Sequence, residues 1–532
     1  MFGIGFISYF YYASKTRQTT GKLISILNNI MSTRRDFVKN GGMALVIAGL
    51  GDKNGTGNAF PDWDPCRFGN GPAVKDRLDQ GPFEIDQDQG WLELLITSPS
   101  ARPIRNFGTG LAAYTCEENG PAVAVREGKE SLEKSIDKLA SLPFTDILYI
   151  RCDWCDIQDA PGKLNLSPVW KLTFEAARQY NLRVGFRIQL SNPEIQPERL
   201  ALPDFLQQKI PLVKIGRRKD ARGNFLTDFE YQEPRYDHPE FQKAFMELND
   251  LLADEYNGNP QVEFMDMMMY GFWGEGHTSS LPSPFPDYMT ALNATLGMTR
   301  YQIETWNKTP LLINTQPDIS KTGNHECLDY AVREDCWLRS DSITHIEEPI
   351  QIDQLSSRPP WLAVAMENGA YRHYRPDEVH VDENGINPVE CSFLHVLDLG
   401  ANYWGLWTEA DNLRKYHETW PEGFTALQKR MGYRVRPSWI WQRKRYETSE
   451  IILAITNDGV AGVPGILRIT LESPDKQFRQ SGCLDAGHPY GGKIRQCAFI
   501  LPKGMEGQKL NLRAEIEVKG ILRPVTWACA QP

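Results

Sequence analysis

From about residue 100 to 410, short apolar, β-rich runs alternate with longer stretches of helical spacing. Eight runs read as strands: Pro103–Ala113, Asp146–Arg151, Leu182–Ile188, Val262–Tyr270, Pro310–Asn314, a stretch near Tyr330–Arg333, Trp361–Met366 and Gly400–Gly405. Ser167–Tyr180 and Phe241–Tyr256 repeat apolar residues every three to four positions, which predicts amphipathic helices. Such alternation predicts an α/β fold with a parallel sheet and crossover helices. Eight strands over this length fit a (β/α)8 TIM barrel with insertions. The rival is a doubly wound open sheet, but no G-x-G-x-x-G follows the first run.

After residue 433 the pattern changes to short strands broken by Gly, Asp and Pro: Ile451–Thr456, Gly465–Leu471 and Asn511–Val518. That texture predicts a C-terminal β-sandwich. The expected organisation is therefore a 1–59 N-terminal extension with a signal, a 60–432 catalytic barrel and a 433–532 β-sandwich.

Within the first segment, Ser32-Thr33-Arg34-Arg35-Asp36-Phe37-Val38-Lys39 resembles a twin-arginine export signal. An apolar run follows through Leu50, then a Gly/Asn-rich stretch to Ala59. This is the layout of a removable signal, and the run is too short to span a bilayer. Met31 precedes the motif and is the expected start, with residues 1–30 an over-extended frame. The expectation is an exported chain, periplasmic or extracellular, with no membrane anchor once mature. The ten cysteines are scattered, and export of a folded chain argues against a disulfide framework. Cys483 and Cys497 stand where a pair could form. Cys152-Asp153-Trp154-Cys155 has no second C-x-x-C or His pair to complete a zinc site.

Composition narrows the function classes. The 532 residues are 41% hydrophobic and 24% charged, normal for a globular protein of more than one domain. A formal net charge of −10 disfavours a nucleic-acid partner. Fourteen Trp in an 11% aromatic chain suit a protein that stacks sugar rings, although most serve a core equally well.

In a barrel the chemistry sits at the C-terminal strand ends, so the carboxylates just after the runs are the candidates. The fourth run leads into Tyr270-Gly271-Phe272-Trp273-Gly274-Glu275-Gly276-His277-Thr278. Flanking glycines permit a sharp turn. The apolar Trp273 beside Glu275 would raise its pKa, as a general acid requires. His277 is placed to contact substrate. The seventh run ends in Glu367-Asn368-Gly369-Ala370-Tyr371, where a carboxylate behind five apolar residues needs a role or a partner. Glu367 is the candidate nucleophile and Tyr371 its orienting group, and Arg372 is a possible ion-pair partner instead. Glu347, Glu348 and Glu409 are rivals. Asp153, Trp154, Arg187 and Asn368 are candidates for sugar hydroxyls, and Trp404 and Trp407 for a stacking platform. For Asp153 and Arg187, an ion pair inside the barrel is an equal reading, as core packing is for Trp407.

On these residues the chain resembles glycoside hydrolase clan A, the retaining (β/α)8 enzymes. The run from Gly271 to Thr278 is similar to the Trp-Gly-Glu-x-His-Thr signature of bacterial barrel proteins resembling family 42 beta-galactosidases. The resemblance would span about residues 100–530. It implies an acid/base glutamate after the fourth strand, matched by Glu275, and a nucleophile after the seventh, matched by Glu367. A Trp after the eighth strand, matched by Trp404, is also implied. One departure stands out: the clan usually places Asn before the acid/base Glu, and here that residue is Gly274. The expected activity is retaining cleavage of a β-glycosidic bond, with no cofactor, no metal and a carbohydrate substrate. Two alternatives stay open. One is a carbohydrate-binding barrel that has lost catalysis; the other is a polysaccharide lyase with Tyr270 or His277 as base.

Overall fold

The computed structural model describes residues 91–530 except 119, 221, 280, 316–323, 344–348, 369–387, 446–447, 491–492 and 506. The segment Ser32–Lys39, Glu347, Glu348, Tyr371, Arg372 and the side chain of Asn368 lie outside the described residues.

In chain order the strands are β1 (Trp91–Ile96), β2 (Gly110–Thr115), β3 (Ile147–Asp153), β4 (Arg183–Gln189), β5 (Leu212–Gly216), β6 (Tyr231–Pro234), β7 (Val262–Asp266), β8 (Leu311–Asn314) and β9 (Trp337–Ile343). They continue with β10 (Val364–Asn368), β11 (Tyr403–Leu406), β12 (Val435–Arg445), β13 (Thr448–Asn457), β14 (Ile466–Glu472), β15 (Arg479–Leu484), β16 (Arg495–Pro502), β17 (Asn511–Val518) and β18 (Ile521–Val525). Eight of them close a parallel barrel in the order β10-β11-β2-β3-β4-β7-β8-β9. The (β/α)8 expectation holds. The hairpin β5–β6 is inserted between the third and fourth barrel strands.

Strand periodicity sorts the side chains. On β3, Leu148 and Ile150 face the helical layer, while Ile147 and Tyr149 point into the barrel. On β11, Trp404 and Leu406 face outward and Tyr403 inward. The expected helices are present as Pro168–Gln179 and Pro239–Tyr256, each with Pro in its first turn. Ser167 Oγ caps the first by accepting from Trp170 N–H at 3.3 Å.

The barrel floor is a closed polar trio. Buried Glu263 accepts from Gly108 N–H and Tyr403 O–H, each at 2.8 Å, and pairs with Arg183.

One strand differs from expectation. Tyr330–Arg333 ends a helix, Asn324–Arg333, and the sixth barrel strand is Trp337–Ile343. Cys327, Leu328 and Ala331, at helical spacing, bury one face of that helix. The true strand was less apolar because its inward positions are Arg339 and Asp341.

The C-terminal part forms two antiparallel sheets, β1-β12-β13-β16 and β15-β14-β17-β18. Leu453 and Phe499 from one sheet and Ile469 and Ile516 from the other enter a common apolar cluster. Although β1 falls within the 60–432 span expected to be barrel, it pairs with β12. Among the described residues, Cys483 and Cys497 are buried and are not joined by a disulfide, and no helix is long and apolar enough to cross a membrane.

Candidate active site

The turn after β7 carries Glu275 and is built on glycine. Gly271 has φ +80°, and a Cβ there would collide with the His277 carbonyl. Gly274 has φ +69°, a left-handed conformation that most side chains resist. Trp273 also adopts positive φ, +53°. Backbone bonds from Phe272 N–H to His277 O (2.8 Å) and from Gly276 N–H to Tyr270 O (2.9 Å) lock the loop. The Tyr236 hydroxyl oxygen accepts from Gly271 N–H, and Asn314 Nδ2 on β8 donates to the Glu275 carbonyl at 3.0 Å. The Glu275 carboxylate is thereby fixed over the barrel, only 3% exposed.

Three guanidiniums converge on it. Arg187 Nη2 lies 2.6 Å, Arg151 Nη1 3.1 Å and Arg339 Nη2 3.3 Å from Glu275 Oε1. They come from β4, β3 and β9. His277 faces the second oxygen, with Nε2 3.3 Å from Oε2. Because Ser279 N–H donates to Nδ1, Nε2 carries the hydrogen and donates to the carboxylate.

Glu367, at the end of β10, joins the same network. Arg151 Nη1 is 3.5 Å from its Oε2, Arg339 Nη2 also contacts that oxygen, and Tyr114 O–H donates to it at 2.9 Å. The two glutamates thus share two guanidinium groups. Their nearest oxygens lie within two hydrogen-bond lengths of each other at the C-terminal mouth.

Electrostatics reverse one expectation. Burial alone would raise the Glu275 pKa, but Arg187, Arg339, the His277 hydrogen bond and Arg151 hold it well below the usual carboxylate range. Trp273 does not make Glu275 an acid, and the carboxylate is ionised at neutral pH. Asp341, on β9, behaves oppositely: burial and then the charge of Glu275 push it up to about 7, against Arg339.

Of the other candidates, some reach the network and some do not. Arg187 is wholly buried and clamps Glu275 and Asp266. Trp407 faces the mouth and donates to Glu118 at 3.1 Å. Trp404, one residue out of phase with Tyr403, points away from the barrel and packs edge-on against Phe393 at 5.4 Å. It is no stacking platform. Trp154 is fully buried beside Phe241, with Nε1 bonded to Gln158 at 2.7 Å, so it is core. Tyr270 is likewise packed between Tyr236 and Phe285 and is no base. Glu409 caps Ala124 N–H at 2.6 Å, outside the network.

Residues not anticipated complete the site. Glu118, after β2, binds Arg151 and accepts from Gln189 Nε2 at 2.8 Å. Asp266 accepts from Tyr149 O–H at 2.6 Å and pairs with Arg187 and Arg339. Beside them lies a cavity of about 500 Å³ at the ends of β2, β3 and β4, lined by Glu118, Arg151, Asp153, Gln189, Asn192 and Arg199. Gln189 Oε1 is buried without a hydrogen-bond partner. Asp153, pushed up to about 7 mainly by burial, is held by Arg199 at 3.2 Å and Asn192 at 3.1 Å. Asp153, Cys155 and Asp156 lie close enough to bind one cation, but Arg199 already brings a guanidinium to both aspartates.

No protein-family model matches the chain, and no curated protein does. Among solved structures it is similar to the catalytic domain of a beta-amylase from Paenibacillus polymyxa (10% identity, 60% of this chain and 99% of that one, TM-score 0.38). It is also similar to an endogalactoceramidase (13% identity, 77% and 100%, TM-score 0.37) and to a beta-galactosidase from Rahnella sp. R3 (14% identity, 64% and 59%, TM-score 0.38). At such scores the likeness carries no argument about this chain's chemistry. The barrel stands on its own strand order.

Proposed function

We propose that this protein is a glycosidase that cleaves a β-glycosidic bond with retention, using Glu367 as nucleophile and the Glu275 side of the site for proton transfer. The observation that carries the reading is the meeting of Glu275 and Glu367 across Arg151 and Arg339. Retaining pairs work about 5–5.5 Å apart, and sharing two guanidiniums is compatible with that spacing. The neighbouring cavity of about 500 Å³ falls within the range of small-ligand sites, and its mixture of acceptors and donors suits sugar hydroxyls. On this reading the chain is an exported enzyme, with the two C-terminal sheets forming a β-sandwich domain.

In the first step a Glu367 oxygen bonds to the anomeric carbon while the bond to the leaving oxygen breaks and that oxygen takes a proton. In the second, water attacks the same carbon, gives up a proton, and frees the Glu367 carboxylate. Arg151, Arg339 and Tyr114 hold and aim the Glu367 carboxyl. Replacing Glu367 with Ala is expected to abolish hydrolysis of aryl β-glycosides, and azide should restore turnover as a glycosyl azide. Unchanged activity of Glu367→Ala would end the nucleophile assignment.

The second reading, a carbohydrate-binding barrel without catalysis, is favoured by one observation: Glu275 is ion-paired and ionised where an acid is needed. It predicts sugar binding with no turnover for any glycoside.

A further inference from the structure

We infer that Asp341 carries the transferable proton of this site at neutral pH, and that Asp341 and Glu275 act as one carboxyl pair sharing it. The inference rests on the glycosidase reading for its chemistry, but the position of the proton does not depend on that reading.

Charge balance makes the first argument. Among the described residues, five carboxylates, Glu118, Asp266, Glu275, Asp341 and Glu367, are each at most 5% exposed, and three equally buried guanidiniums, Arg151, Arg187 and Arg339, face them. An excess of buried negative charge is costly, and the ordinary remedy is protonation of one member. Glu275 is the poorest host, with three arginines on one oxygen. Glu118 is engaged by Arg151 through two nitrogens, and Asp266 by Arg187, Arg339 and Tyr149.

Position makes the second. Asp341 meets Arg339 Nη2 at 3.3 Å, but that nitrogen is shared with Glu275 and Glu367. Its carboxylate, Glu275 and His277 bring their polar atoms within 4.8 Å of one another. The groups facing it include Glu275 and His277 from the turn after β7, Arg151 from β3, and Arg339 from its own strand. Through Arg339 it is linked to Asp266 and Glu367. Two carboxyls this close share a proton because both cannot ionise without repulsion. The upward displacement of Asp341 and the downward one of Glu275 agree with this assignment.

The step balances. Asp341 passes its proton to Glu275, which delivers it to the leaving oxygen as that oxygen keeps the electron pair of the broken bond. During hydrolysis of the intermediate, water's proton returns by the same route, and Asp341 ends as it began. Asp341 is on this account a positioning and proton-storing residue.

The test uses the full chain. Difference infrared spectra between about pH 5 and about pH 9 span the carboxyl range and should show a protonated carboxyl that is missing in Asp341→Asn. Asp153 and Glu233, which also rise to about 7, cancel in the comparison. With aryl glycosides, Asp341→Asn should lose roughly 10²-fold or more on weakly acidic leaving groups, and far less on dinitrophenyl glycosides, which need no proton. Retention of the full protonated band, or equal loss on both substrate types, overturns the inference. If the variant fails to fold, Glu275→Gln decides: without the neighbouring charge the Asp341 titration should move to lower pH, and an unmoved midpoint refutes the pairing. If the wild type cleaves no glycoside, the glycosidase reading falls while the infrared result still locates the proton.

Discussion

Removing Arg339 perturbs the network most, because its side chain meets Asp266, Glu275, Asp341 and Glu367 while only 2% exposed. Arg339→Met keeps much of the volume and deletes the charge. Breaking a buried ion pair by removing one partner costs about 3–5 kcal/mol, since the other is left uncompensated. The cost should depend on pH in a fixed direction. In the wild type the arginines depress the folded pKa of Glu275, so its contribution is present above the unfolded value and is lost as pH falls through the folded one. In the variant Asp341, already raised by burial and by Glu275, loses the lowering charge of Arg339 and rises further, so stability is lost as pH climbs through its folded value. Each unit of upward displacement is worth about 1.4 kcal/mol. Urea unfolding followed by circular dichroism should therefore show the full loss near pH 8 and a clearly smaller one near pH 5. A loss below about 1 kcal/mol, or one equal at both pH values, would refute the account of this network.

Two further outcomes follow from other buried groups. Glu233 is pushed up to about 7 chiefly by burial, with Ser191 and Tyr236 opposing, so its penalty grows as pH rises through that value. Glu233→Gln should raise the melting temperature near pH 8 and leave it almost unchanged near pH 5; a gain at low pH alone would contradict this. The tryptophan pair separates core from mouth: Trp404→Phe should cost less than about 1.5 kcal/mol and leave KM unmoved, since Nε1 has no hydrogen-bond partner. Trp407→Phe strips a donor from buried Glu118 and should weaken substrate turnover, with a stability loss of about 1–3 kcal/mol in urea titrations.

The barrel was legible in the sequence where a strand keeps an apolar run ahead of its polar C-terminal end. Ile147–Asp153 and Arg183–Gln189 begin within a residue of the expected runs because Ile, Leu, Val, Phe and Tyr stand in them before the polar site residues at their ends. It was illegible at β9, where inward Arg339 and Asp341 interrupt the apolar run and an amphipathic helix next door imitates one. A single residue of phase decided the tryptophans: Tyr403 points in, so Trp404 must point out and Trp407 lies on the mouth side. Glu275 was found because it follows a strand and sits in a glycine turn. Its charge state was not, because the three arginines that set it come from β3, β4 and β9, which lie 124, 88 and 64 positions away.

Buried charge by itself does not mark a working site, and the two ends of this barrel show why. At the floor, Glu263 and Arg183 pair one to one, and Tyr403 and the Gly108 amide fill the remaining lone pairs. That arrangement satisfies the Glu263 carboxylate and ties the barrel to the preceding loop, while the buried guanidinium of Arg523 beside it has no hydrogen-bond partner among the described residues. At the mouth, among the described residues, carboxylates outnumber guanidiniums, and Gln189 Oε1, Asn314 Oδ1, Arg339 Nη1 and Asp266 Oδ1 lack hydrogen-bond partners. Such groups cost stability that an aliphatic layer would not. A barrel selected for stability alone would fill this layer with Val, Ile and Leu, as barrels do elsewhere. The surplus of charge and the unfilled donors and acceptors, beside a polar cavity on the catalytic face of the fold, are what a ligand with many hydroxyls would complete.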